Sequence, residues 1–160
     1  MGNTKITNSL NLGGSKKRKV LIVEDDFDLL SAVSEFLNNY SYLPIKAQNL
    51  PEAVNKVSNQ KFNLIILDLG LQNTNGVKLI EKIRKNPTSI NFRTPILLHS
   101  GHIEISLFDK YKDDFNDALV KPTSLETILE KVTYWSNREH SAIHFGNIYD
   151  ADKFAKKITK

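Results

Sequence analysis

The chain contains no cysteine. That absence excludes both a disulfide framework and a thiolate metal site. Long apolar runs are missing too, and none approaches the roughly 20 residues that a membrane-spanning helix needs. The N-terminus is too polar for a signal peptide. Ile6 stands where a myristoylation signal needs Ser or Thr. No Gly-rich loop ends in Gly-Lys-Ser/Thr, so a P-loop enzyme is excluded. A cytoplasmic protein is the expectation that remains.

What is present is the composition of an ordinary soluble globular protein, 25% charged and 40% hydrophobic over 160 residues. This length suits one domain with tails and can bury a sizeable core. The formal net charge is +4, and Lys16, Lys17, Arg18 and Lys19 form one basic run. Such a run is either a nucleic-acid or import patch or a solvated leader. No nucleic-acid-binding motif accompanies it, so a solvated leader is expected, with no direct nucleic-acid contact.

Residues 1–15 are rich in Asn, Gly, Ser and Thr, a composition that predicts disorder. With the basic run they form an expected flexible leader, 1–19. From Val20 short apolar runs alternate with helical periodicity, the pattern of repeated βα units on a parallel sheet. The expected strands are Val20 to Val23, Tyr42 to Ala47, Phe62 to Leu67, Pro95 to His99 and Asp117 to Val120. Pro44 cannot donate to a ladder, which places the second strand at a sheet edge. Leu29, Leu30, Val33, Phe36, Leu37 and Tyr40 recur at helical spacing, as do Ala53, Val54 and Val57 in a second helix. Val77, Leu79, Ile80 and Ile83 mark a third, ended by Asn86-Pro87, and Leu107, Phe108 and Tyr111 a fourth. Thr123 to Glu126 fits a capping box with Thr123 as N-cap, opening a helix through Leu125, Ile128, Leu129, Val132 and Trp135. Five βα units predict a doubly wound sheet with right-handed crossovers. The folded unit is expected over 20–137. A tail, 138–160, follows, with one short helix around residues 150 to 158.

Ligands of open α/β sheets bind outside the carboxyl ends of the strands. Strand one ends in Glu24-Asp25-Asp26, strand three in Asp68, strand four in Ser100, and strand five in Lys121-Pro122. Each residue alone reads as a helix cap or a surface group. Together they bring several carboxylates to one edge, where they repel unless a cation offsets them. Lys121 and a divalent ion are the two candidates. An all-oxygen set without His or Cys suits Mg²⁺.

These segments resemble a bacterial two-component response-regulator receiver domain. "VLIVEDD" is similar to the family's first strand and acidic pair. "LIILDLGLQNTNG" resembles the phosphoacceptor strand and loop, with Gly76 eight residues after Asp68. "TPILLHSG" resembles the strand that ends in a hydroxyl residue, and "ALVKP" the Lys-Pro motif. The resemblance covers Val20 to about Asn137, with all four motifs in order. The fold then expected is flavodoxin-like (βα)5, a doubly wound five-stranded parallel sheet of strand order 2-1-3-4-5.

The resemblance implies that Asp68 accepts a phosphoryl group from a histidine kinase or a histidine phosphotransfer protein. It also implies that the chain is a phosphoacceptor signalling domain rather than an enzyme. Glu24, Asp25, Asp68 and the backbone carbonyl of Gly70 would hold Mg²⁺ or Mn²⁺. Ser100 would donate to one phosphoryl oxygen and Lys121 would pair with another. Asp26 sits beside the metal pair or caps the first helix, and the cap is the favoured reading.

Two positions depart from the family pattern. Gln72 stands where Pro is usual. Ala118 stands at the switch position, three residues before Lys121, where an aromatic is usual. Alanine has no rotamer to swing, so the ordinary aromatic switch is not expected, and Phe115 or Tyr111 is the nearest substitute. The rival of another class is a receiver-like interaction module that works without phosphorylation. A flavin phosphate would be repelled by Glu24, Asp25 and Asp26. A haloacid-dehalogenase-type phosphatase needs a second acid where Gly70 stands. His99 reads as a strand-end residue whose side chain alternates away from Ser100. His140 and His144 lack acidic or Cys partners at ligand spacing. With no effector domain in the sequence, output is expected through a downstream protein or onward relay. The last helix with Trp135 and the tail offer a partner or homodimer surface.

Overall fold

The computed structural model describes residues 16–140. Five strands alternate with five helices: β1 Arg18–Val23, α1 Phe27–Asn38, β2 Tyr42–Ala47, α2 Leu50–Asn59, β3 Leu64–Leu67, α3 Val77–Arg84, β4 Ile96–Ser100, α4 Ile105–Tyr111, β5 Asp117–Val120 and α5 Leu125–Trp135. All pairings are parallel and the strand order is β2-β1-β3-β4-β5. This is the expected doubly wound arrangement, with β2 and its Pro44 at an edge. No helix among the described residues is long and apolar enough to cross a membrane.

Alternation along the central strands builds two cores, one on each face of the sheet. Leu21, Val23, Ile65, Leu67, Ile96 and Leu98 pack against α2, α3 and α4 through Ala53, Val57, Leu79, Ile80, Ile83 and Tyr111. Their neighbours Val20, Ile22, Leu64, Ile66 and Leu97 pack against α1 and α5 through Leu30, Val33, Leu37, Ile128 and Val132. Truncating one of these fully buried leucines to alanine costs about 2–5 kcal/mol.

The edge of the sheet away from the strand carboxyl ends is closed by side chains bonded to the main chain. Asn91, fully buried, accepts from Phe62 N–H at 2.9 Å and donates to the carbonyls of Val57 at 2.7 Å and Gln60 at 2.8 Å. The Arg84 guanidinium donates to the carbonyls of Asp114, Phe92 and Thr94, each at 2.8 Å. Burial lowers its pKa to about 10. His140, also buried, hangs on this edge through Asn116 Oδ1 at 2.8 Å and through its N–H to the Arg93 carbonyl at 2.7 Å.

Several local expectations are corrected. β1 begins at Arg18, so Arg18 and Lys19 pair with Tyr42 and Leu43 rather than belonging to a leader. β3 begins at Leu64 rather than Phe62: Phe62 N–H is taken by Asn91 Oδ1 at 2.9 Å, and Asn63 Oδ1 accepts from Lys19 N–H at 2.9 Å. α5 is capped by Ser124, which accepts from Thr127 N–H at 3.1 Å. The Thr123 hydroxyl instead donates back to the Val120 carbonyl at 2.8 Å. Both hydroxyls satisfy the local pattern, and the turn leaving β5 decides between them. One local expectation holds: Asp26 caps α1, accepting from Asp28 N–H at 3.0 Å and Leu29 N–H at 3.1 Å. The expected helix around residues 150 to 158, His144 and the leader 1–15 lie outside the described residues.

Candidate functional site

The sheet's ladder runs one residue past the formal strand ends, and that step assembles the site. Asp68 N–H donates to the Val23 carbonyl at 2.9 Å, which sets Asp68 beside Glu24. Lys121 N–H donates to the Ser100 carbonyl at 3.0 Å, which sets those two side by side. Glu24, Asp68 and Ser100 are buried, and Asp25 is half-buried. Glu24, Asp25, Asp68, Ser100 and Lys121 therefore occupy one edge, contributed by four strands, while Asp26 turns to cap α1.

Lys121 links them. Its ammonium donates to Glu24 Oε2 at 2.5 Å and to Asp68 Oδ2 at 2.7 Å. Asp68 Oδ1 accepts from Gly70 N–H at 2.8 Å. Burial alone would raise the Asp68 pKa, but the Lys121 and Gly70 hydrogen bonds outweigh it and hold the carboxyl below its usual value. Glu24 goes the other way, because burial outweighs Lys121 and pushes its pKa up. Burial works against the charge on Lys121, yet the two carboxylates raise its pKa. The Ser100 hydroxyl donates to the His102 carbonyl at 3.2 Å and lies near enough to Asp68 to add to its lowering.

Oxygens of Glu24, Asp25 and Asp68 all lie within 4.8 Å of one another. Three carboxylates against one ammonium leave a formal surplus of two negative charges. The donor set is hard oxygen throughout, so the residues present fit a Mg²⁺-type ion. The loop beyond Asp68 is tightly drawn. An added Cβ at Gly76 would meet the Asp68 carbonyl oxygen at 2.5 Å, so close approach rather than backbone freedom requires glycine there.

His99 is buried with Nε2 unpartnered, on the face of β4 that it shares with Leu97. Burial, with help from Lys121 and against Asp68, lowers its pKa to about 4. The half-buried Ala118 packs into the layer that holds Tyr111 and Phe115. Neither aromatic is loose. Tyr111 Oη donates to Glu81 Oε1 at 2.9 Å, and Phe115 meets Phe108 edge-on at 5.3 Å. Sequence reasoning missed one contact at the site: Gln72 N–H donates to Asp25 Oδ2 at 3.1 Å. The one residue-type signal is the replacement of the usual proline by Gln72, which supplies a main-chain N–H without indicating where it points.

Residues 20–133 match the response regulator receiver domain family. The transcriptional regulatory protein CrdR of Helicobacter pylori is 29% identical over 122 residues, 76% of this chain and 56% of that protein. The response regulator ArlR of Staphylococcus saprophyticus is 30% identical over 151 residues, 88% of this chain and 63% of that protein. The chain thus spans little more than half the length of these curated relatives. Among solved structures, a two-component response regulator from Clostridium difficile is 29% identical, with a TM-score of 0.66 over 76% of this chain and 97% of that one. With motif order, strand order and family match in agreement, the chain belongs to the response regulator receiver domain family, whose members are phosphoacceptor signalling domains rather than enzymes in the classical sense.

Proposed function

We propose that Asp68 accepts a phosphoryl group from a phosphohistidine, on a histidine kinase or a histidine phosphotransfer protein, and passes the signal to a downstream protein in the cytoplasm. The observation that carries this reading is the state of Asp68: buried, kept ionised by Lys121 and Gly70, and adjoined by two further carboxylates. In the transfer, an Asp68 oxygen forms the new P–O bond as the P–N bond to the donor imidazole breaks. The bonding pair leaves with the imidazole, which is protonated as it departs.

A carboxylate is a weak nucleophile, so the protein's part is positioning and charge compensation. Glu24, Asp25, Asp68 and the Gly70 carbonyl would hold a Mg²⁺ or Mn²⁺ ion. That ion, when bound, supplies neutralisation of phosphoryl charge. Lys121, a compact point charge already on Asp68 Oδ2, is placed to follow the charge onto a phosphoryl oxygen. Ser100 turns its hydroxyl from the His102 carbonyl to a second phosphoryl oxygen. Ala118 contributes no aromatic rotamer, so the readout runs through the α4–β5 layer by another movement, toward a protein contact or onward relay.

Incubation with acetyl phosphate and Mg²⁺ tests the reading by intact mass. One added phosphoryl group is expected on the wild type and none on Asp68→Asn. A wild type left unmodified, under conditions that modify a control receiver, refutes it.

A further inference from the structure

Gln72 occupies the one loop position whose departure from the family pattern changes the main chain's hydrogen-bonding capacity. The proline usual there has no N–H, whereas Gln72 has one and spends it on Asp25 Oδ2 at 3.1 Å. We infer that the Gln72 main-chain N–H is a positioning group for a hard divalent cation, acting through Asp25. The inference rests on the proposed function, because it concerns the same cation site.

The loop aims that N–H. Leu71, 4% exposed, is sunk into the core on the α2–α4 side. Thr74 N–H closes a turn onto the Leu71 carbonyl at 3.2 Å, and Gly76 N–H closes the loop onto the Leu69 carbonyl at 3.0 Å. Asn73 takes a φ of 60°, a left-handed conformation that asparagine tolerates better than most residues. Gln72 is thus held from both sides while its own side chain is exposed. The N–H belongs to the rigid part of the residue, and the amide side chain is dispensable.

Asp25 needs such a partner. Glu24 is held by Lys121 and by Asp26 N–H at 3.2 Å, and Asp68 by Lys121 and Gly70. Asp25 is half-buried, and Gln72 is its one hydrogen-bond donor among the contacts described. A carboxylate that accepts one fixed bond at Oδ2 keeps Oδ1 available to a cation. It also loses less rotational freedom on ligation, which is how outer partners strengthen metal ligands.

The test uses the full chain and Mn²⁺ or Mg²⁺ alone, with affinity read by calorimetry and by the electron paramagnetic resonance signal of free Mn²⁺. Gln72→Pro deletes the N–H, and Gln72→Ala keeps it. The expected result is about a tenfold loss of affinity in Gln72→Pro, with Gln72→Ala close to wild type. Within an Asp25→Ala background, Gln72→Pro is expected to cost nothing further. Equal affinities for Gln72→Pro and wild type overturn the inference and leave the proposed function standing. Equal losses in Gln72→Pro and Gln72→Ala, or the same loss without Asp25, also overturn it. A wild type that binds neither ion overturns the inference and the metal-dependent reading together.

Discussion

Lys121 donates to Glu24 Oε2 at 2.5 Å across 97 positions of sequence, and so fastens the end of the last strand to the end of the first. The same ammonium holds Asp68. One cation therefore compensates two buried carboxylates, and removing it leaves both exposed to each other's charge.

Replacing Lys121 by Met is expected to lower stability in metal-free buffer by about 3 kcal/mol, a value near the low end for breaking a buried pair because Lys121 is partly exposed. Millimolar Mg²⁺ should then recover a larger share of the melting temperature in Lys121→Met than it adds to the wild type. Parallel thermal scans with and without Mg²⁺ decide this. An equal Mg²⁺ increment in both proteins would show that Lys121 and the ion do not share the same carboxylates.

Stability should fall as pH drops from 6.5 towards 4. Burial holds His99 and His140 at folded pKa values of about 4, against 6.5 for the free side chain. Above pH 6.5 both states are neutral and nothing is lost. Below it, the unfolded chain takes up protons that the folded chain refuses, at a cost of about 2 kcal/mol per histidine at pH 5. Glu24 works in the opposite sense, since its raised pKa returns stability as pH falls through it. Comparing urea midpoints at pH 7.5 and pH 5 for wild type and His99→Asn cancels that contribution. The variant should lose about half of the pH-dependent drop; an unchanged drop would place the sensitivity elsewhere.

Ala118→Tyr places an aromatic beside Tyr111 and Phe115, at the β5 position where the wild type has none. Hydrogen exchange before and after acetyl phosphate treatment should show a larger change over α4 and β5 in this variant than in the wild type. Identical exchange profiles would make Ala118 a neutral replacement.

Asn91→Ala should destabilise the domain by about 3 kcal/mol or more, because it orphans the buried N–H of Phe62, the buried Val57 carbonyl and the partly buried Gln60 carbonyl at once. Phosphorylation of Asp68, measured at a temperature where the variant is still folded, should proceed as in the wild type. The site lies at the opposite edge of the sheet, and distant changes add independently.

The contrast between these two edges also explains what the sequence could disclose. The strand ends were legible because each carries an ionisable or hydroxyl group directly after an apolar run. The strands themselves announced their burial through continuous Val, Ile and Leu. Asn91 and Arg84 gave no comparable signal. One sits in an aperiodic loop and the other on the last turn of a helix, where an exposed arginine is the ordinary reading. Ser124 and Thr123 are equivalent as caps until the chain leaving β5 fixes their directions. Gln72 matters through an atom that the usual proline lacks, so the sequence shows that a donor is present and only coordinates show that Asp25 receives it.

The staple at the lower edge has a consequence for how this sequence tolerates drift. Asn91 and Arg84 address mostly peptide groups, those of residues 57, 60, 62, 92, 94 and 114. Those groups survive nearly any substitution at their own positions. The instructions for closing that edge are thus carried largely by two side chains, and changes of side chain at the positions they bond to leave those particular bonds in place.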